Sequence, residues 1–141
     1  MDEVQHLKHA LQKNVEHKEK FENFCKRLDE FIQKNVSALP NVSITTQPNA
    51  DRYLSLLDIN LLVRCRLIAL EYNRSVLQVC HSDTNGMLTV LKGWYIDSLG
   101  NVWDDLESSS SMHHLDDETF CAVFLAQSLV ALMNWSERLT K

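Results

Sequence analysis

The chain has 141 residues, 45% of them hydrophobic and 23% charged, and a net charge of −5. This is enough chain for one domain with a buried core. Only 3 Gly and 2 Pro exclude a disordered or loop-rich scaffold. No apolar run is long enough to span a bilayer, and the polar start MDEVQHLK has no secretory h-region. The expectation is a cytoplasmic protein with no membrane partner. On that reading the Asn-x-Ser/Thr triplets at Asn35, Asn41, Asn73 and Asn134 are chance.

Residues 1–38 predict a long helix. Val4, Leu7, Leu11, Phe21, Cys25, Leu28 and Ile32 follow a three–four spacing, interrupted at Asn14 and Lys18 and widened by Val15, Phe24, Phe31 and Val36. No Gly or Pro occurs before Pro40, and Lys, Glu and Gln fill the other positions. From Phe21 onward the apolar face is wide enough to dock on a core. The thinner first half stands off the body, forms a separate short helix or pairs with a second copy. Seven acids balance seven bases over this stretch, so it is a solvated helix and not a basic nucleic-acid arm.

Val42–Thr46 reads as a short edge strand between Pro40 and Pro48. Residues 51–72 fit two patterns. Leu54, Leu57, Leu61, Cys65, Ile68 and Tyr72 form a helical face, and Ile59, Leu61, Val63, Cys65, Leu67 and Ala69 form a strand face. The longer alternation favours a strand over 59–70, with Tyr53–Leu57 a strand or a helical turn. A strand over 75–82 follows. Met87–Trp103 then gives the strongest strand signal. Leu88, Val90, Trp94 and Ile96 alternate on one side, interrupted by Lys92, with Thr89, Gly93 and Tyr95 opposite. Asn85-Gly86 before it and Asp97–Asn101 after it are turn signals, so this strand pairs on both sides. A last strand spans 101–105, and 108–114 is a polar linker. Asp116 caps a final helix over 116–139, which is apolar on most sides and predicted to be the most buried. The fold class expected is α+β, an antiparallel meander of four to five strands with a long N-terminal and an apolar C-terminal helix. The domain is single, with the sheet over 42–105.

Cys25, Cys65, Cys80 and Cys121 include no Cys-x-x-Cys pair, and reduced thiols are expected. A two-residue turn at Tyr72-Asn73 would place Cys65 opposite Cys80. A three-residue turn, Tyr72–Arg74, places Leu67 with Val79 and Cys65 with His81. The second gathers the apolar residues on one face and is preferred, so no Cys65–Cys80 bridge is expected. His113-His114 with Asp116, Asp117, Glu118 and Cys121 resembles a ligand set. If Asp116 caps the helix, however, His114 and Glu118 are not at helical spacing, and the adjacent histidines read as solvated. Neither a metal nor a cofactor is expected, and no nucleotide, hydrolase or kinase signature is present.

Charge is the sharpest asymmetry. Gly93–Glu137 contains no Lys or Arg and carries −8, against +3 for the rest. Asp104, Asp105, Glu107, Asp116, Asp117 and Glu118 cluster within it, giving an acidic patch that would repel phosphates and meet a basic protein. A second candidate surface is the sheet face shared by Arg64, Arg66, Tyr95 and Trp103, residue types of binding hot spots. It is either a binding face or is covered by a helix along which the arginine stems lie. The function expected is a small acidic interaction domain, of inhibitor, immunity or adaptor type, that binds a basic partner and forms a homodimer. The alternative is a small-molecule-binding or enzymatic domain with a pocket near Arg64, Arg66, His81 and Trp94.

Overall fold

The computed structural model describes residues 2–45, 51–68, 74–104 and 111–139. The expected α+β class is the one observed. α1 (Glu3–Lys34) leads into seven strands, β1 (Ser43–Ile44), β2 (Arg52–Leu56), β3 (Ile59–Leu67), β4 (Arg74–Ser82), β5 (Leu88–Asp97), β6 (Asn101–Trp103) and β7 (His113–His114), and α2 (Glu118–Leu139) closes the chain. The strands form one antiparallel meander in chain order.

α1 starts where the Asp2 carboxylate accepts the Gln5 amide at 2.8 Å, satisfying one of the unpaired donors of the first turn. It ends at Asn35, whose backbone and side-chain amides both return to the Phe31 carbonyl. Only its second half is buried, through His17, Phe21, Phe24, Cys25, Leu28 and Ile32.

Both helices pack on one side of the sheet. Leu54, Leu61, Val63, Leu77, Val79, Trp94, Ile96 and Val102 supply the sheet side of the core, and Phe24, Leu28, Ile32, Phe120, Phe124 and Leu132 the helix side. Phe24, Trp94 and Phe124 form its aromatic centre, with Phe24–Phe124 and Trp94–Phe124 ring centroids 5.2 and 5.1 Å apart. The Trp94 indole N–H donates to Gln127 Oε1 at 3.0 Å, so the largest buried side chain leaves no polar atom orphaned.

Several expectations are corrected. The meander has seven strands, not four to five, because two-residue strands close each edge and 52–56 is a strand. β2 and β3 join through Leu57-Asp58, both at positive φ (51° and 61°), a turn in which Asp58 is a usual turn residue and Leu57 is not. His113 and His114 are not a solvated linker. They pair with Val102 and Asn101. The His113 ring lies 5.8 Å from that of Phe120. His114 Nε2 donates to the Leu99 carbonyl at 2.7 Å while its Nδ1 accepts the Asp116 amide at 3.0 Å, which makes it the Nε2-protonated neutral tautomer.

The β3–β4 register pairs Cys65 with Leu77 and Cys80 with Leu62. Its faces are those of the three-residue-turn reading, but Cys65 meets Leu77 instead of His81. His81 packs against Trp135 on α2, 4.2 Å between ring centroids. The connection at 69–73 lies outside the described residues.

β5 departs most from its pattern. Val79 pairs with Lys92 but Cys80 with Val90, so Leu91 is an extra residue in a β-bulge. One inserted residue exchanges the faces of everything before it. Trp94 and Ile96 point into the core, whereas Leu88 and Val90 point to the other face and are exposed.

α2 also differs. Residues 118–138 reach the length and mean hydropathy, 1.4, that a bilayer span requires, contrary to the expectation that no run does. Length and composition carry that match alone. Phe120, Cys121, Phe124, Leu125 and Leu132 are core residues beneath the sheet. The opposite side, Ala122, Ala126, Val130 and Met133, is exposed, because one sheet face and one helix cover only part of α2. Asp116, expected to cap α2, sits in the turn ahead of it and pairs with Arg27 of α1.

Candidate functional site

The face of the sheet away from the helices carries the second set of candidate residues. Arg66 pairs with Val76, Val76 with Tyr95, and Tyr95 with Trp103. These four form one row across β3, β4, β5 and β6, spanning roughly 14 Å at the usual strand spacing. The next row is Arg64, Gln78 and Gly93. Arg64, Arg66, Tyr95 and Trp103 therefore share one face of the sheet, Arg66 exposed and the other three half-buried.

Three of the four side chains are steered by a neighbour. Arg64 Nε donates to Gln78 Oε1 at 2.9 Å. The fork of Arg66 donates to both carboxylate oxygens of Asp51, at 2.9 and 2.8 Å. That hydrogen-bonded pair raises the Arg66 pKa further above its ordinary value. The Trp103 indole N–H donates to Asp97 Oδ2 at 3.4 Å. Asp97 also accepts from the amides of Leu99 and Asn101 and from the Asn101 side chain. Burial works to raise the Asp97 carboxyl, but these bonds outweigh it and hold it below its ordinary value. The β5–β6 turn thus anchors one end of the aromatic row. Gly93 leaves a recess beside Tyr95, where an added Cβ would meet only ordinary contacts at 3.7 Å.

The acids are distributed differently. Asp104 Oδ1 accepts from Lys92 at 3.3 Å, Asp116 pairs with Arg27, and Glu118 with Lys34 at 3.2 Å. Asp117 is exposed. Asp105 and Glu107 lie outside the described residues. The bases come from α1 and from Lys92 on β5, so three acids of a segment with no cations of its own are paired after folding.

The four residues of the alternative pocket do not share a cavity. Arg64 and Arg66 lie on the outer face, while Trp94 is in the core and His81 lies against α2. An apolar groove of about 340 Å³ occurs elsewhere, between the end of α1, β2 and α2, lined by Phe31, Leu39, Leu56, Leu125 and Leu129. The four cysteines are free thiols. Burial pushes Cys25 up to about 12 and Cys121 up to about 11, and raises Cys65 and Cys80, so all four stay protonated and poorly nucleophilic near neutral pH. Among the described residues no group of three His, Cys, Asp or Glu side chains is arranged to hold a metal ion.

Residue-by-residue reading missed Asp51, Gln78 and His17. Gln78 was available from the alternation Val76–Gln78–Cys80. His17 was available from the spacing 17, 21, 24, 28 on the buried side of α1. It is 4% exposed, and neither ring nitrogen has a hydrogen-bond partner among the described residues. Asp51 had no local signal, because its partner lies one hairpin away.

Compared with protein-family models, with curated proteins and with solved structures, the chain matches none of them.

Proposed function

We propose that this chain is a non-catalytic protein-interaction domain that works as a homodimer and takes its partner on the outer face of the sheet. The observation that supports the reading is the row of Arg66, Val76, Tyr95 and Trp103 beside Arg64 and Gln78. Half-buried aromatics held by a hydrogen-bonded turn offer contact area at little entropic cost, and Arg64, steered through Nε, keeps its terminal nitrogens for a carboxylate. The partner that fits presents an acidic side chain next to an apolar one. The acidic strip is the competing surface, for a basic partner. Its drawback is that Asp104, Asp116 and Glu118 are already paired with Lys92, Arg27 and Lys34.

The test compares captures from the native host, identified by mass spectrometry. The parent, an Arg64→Glu/Tyr95→Ala variant and an Asp104→Asn/Asp105→Asn/Glu107→Gln variant are run side by side. One protein that is lost with the sheet-face variant and kept by the acid variant supports the reading. The reverse pattern moves the site to the acidic strip.

A second reading, a binder of small apolar molecules, has the groove of about 340 Å³ behind it, within the size range of ligand pockets. It requires that Ala126→Trp, which fills that groove, abolishes uptake of an environment-sensitive apolar dye that the parent binds.

A further inference from the structure

The first half of α1 has no buried side chain from Glu3 to Glu16. Val4, Leu7, Leu11 and Val15 are 73, 60, 57 and 57% exposed. At the helical rise this half is roughly 20 Å long. A helix of that length without tertiary support is marginal in water, and an apolar stripe left in solvent adds to the cost. The stripe is close to symmetric about His9, because Val4, Leu7, Leu11 and then Asn14-Val15 read almost the same from either end.

We propose that two copies pair through this half of α1, antiparallel, about a twofold axis beside His9. The inference rests on the homodimer reading above and gives it a geometry. Direction follows from the body. The face that carries Val4, Leu7 and Leu11 continues as Phe21, Cys25, Leu28 and Ile32, which are packed against this chain's own core. A parallel partner would follow that face into space already filled by the sheet and α2. An antiparallel partner runs the other way, and its body lies beyond the start of α1.

In this arrangement Leu7 meets the partner's Leu11, Leu11 meets the partner's Leu7, and Val4 meets the partner's Asn14. Ala10 faces the partner's Ala10, and the small side chain lets the helices approach closely. The partner's first turn arrives where α1 enters the body. An open corner of about 520 Å³ lies there, lined by Asn14, Lys18, Phe21, Glu22, Asp51 and Arg66. Asp51 is already committed to Arg66. Lys18, the base that interrupts the stripe, meets the partner's Asp2 and the partner's Glu3. The pairing thus accounts for the interruption at Lys18, which stands opposite the acidic end of the second copy.

The test is sedimentation equilibrium at high micromolar concentration on the full chain and on Leu7→Glu/Leu11→Glu, with oxidative cross-linking of Ala10→Cys and Leu7→Cys. The parent is expected at twice the 16.3 kDa chain mass. Leu7→Glu/Leu11→Glu is expected at the single-chain mass with unchanged near-ultraviolet circular dichroism, because neither side chain touches the core. Ala10→Cys is expected to cross-link to itself under mild oxidation, while the parent, whose thiols are buried or half-buried, does not. A monomeric parent overturns both this geometry and the homodimer reading. A dimer that survives Leu7→Glu/Leu11→Glu overturns the α1 pairing but leaves the homodimer reading standing, with the exposed side of α2 as its surface. Cross-linking of Leu7→Cys without cross-linking of Ala10→Cys means a parallel pair and overturns the antiparallel arrangement. None of these outcomes bears on partner capture by the sheet face.

Discussion

The two halves of α1 carry the same three–four stripe and have opposite fates. Phe21, Cys25, Leu28 and Ile32 lie in the core, while Val4, Leu7 and Leu11 face solvent on the same side of the same helix. Spacing determines which side of a helix is apolar, because 3.6 residues per turn bring those positions together. It does not determine what lies against that side. The sheet reaches along α1 only as far as His17, and beyond it the stripe needs another surface.

The largest effect that sharpens this contrast is in the buried half. Leu28→Ala removes a side chain with no exposed area and is expected to cost about 2–5 kcal/mol in a denaturant titration, through lost burial and the cavity left behind. Leu7→Ala, measured where the chain is monomeric, is expected to change stability by less than about 0.5 kcal/mol. Equal losses at both positions would mean that the first half docks on the body.

His17 marks the boundary and gives the next effect. His17→Leu removes two buried nitrogens that lack partners among the described residues and is expected to raise stability by about 1–2 kcal/mol at neutral pH. Burial, and after it the nearby Lys20, hold the His17 pKa below its ordinary value of 6.5, with Glu16 and Asp97 opposing and Lys13 assisting. The folded chain then refuses a proton that the unfolded chain accepts, so stability rises with pH across that interval. This contribution is present in full above 6.5 and is lost as pH falls from there through the folded value. Denaturation midpoints between neutral and mildly acidic pH should fall more steeply for the parent than for His17→Leu. Parallel curves would show that His17 gains a partner in solution.

Gly100 tests the sheet side of the comparison. Its φ is +87°, and an added Cβ would stand 2.9 Å from His114 Nε2. Gly100→Ala is expected to cost about 1–3 kcal/mol through strain and displacement of the His114 ring. The ring's hydrogen bond to Leu99 would be disturbed as well, and faster exchange of the Leu115 amide, which donates to the Gly100 carbonyl at 2.8 Å, would report it.

The smallest effect lies at the projecting end. Asp2→Ala deletes the cap on the Gln5 amide and is expected to weaken the first turns locally by about 1 kcal/mol. In the monomer, amide exchange over residues 5–14 should quicken while the global denaturation midpoint stays fixed. A shift of the midpoint would show that the two halves of α1 fold as one unit.

Much of the fold was legible because its signals are local. The absence of Gly and Pro before Pro40 and the three–four spacing act within a few residues, and they specify α1. Gly86 and Gly100, at φ +81° and +87°, supply the left-handed residues of two hairpins, so β5 was placed between two neighbours. Alternation, with the register that gathers the apolar residues, put Arg64, Arg66, Tyr95 and Trp103 on one face, and their parity survives any even shift of that register. What remained depends on partners far along the chain. The bulge at Leu91 turned Leu88 and Val90 to the other face, a change that no period-two reading can contain. The two-residue strand at His113 exists because a neighbouring strand offers its hydrogen bonds, not because its own residues demand it. The segment Gly93–Glu137 has no cation of its own, yet Lys92, Arg27 and Lys34 reach its acids once α1 and β5 are in place. Sequence determined the elements and their apolar sides, because those follow from backbone geometry and nearest neighbours. The tertiary structure decided which sides are covered and which charges are paired, because both depend on distances between residues that the chain order does not encode.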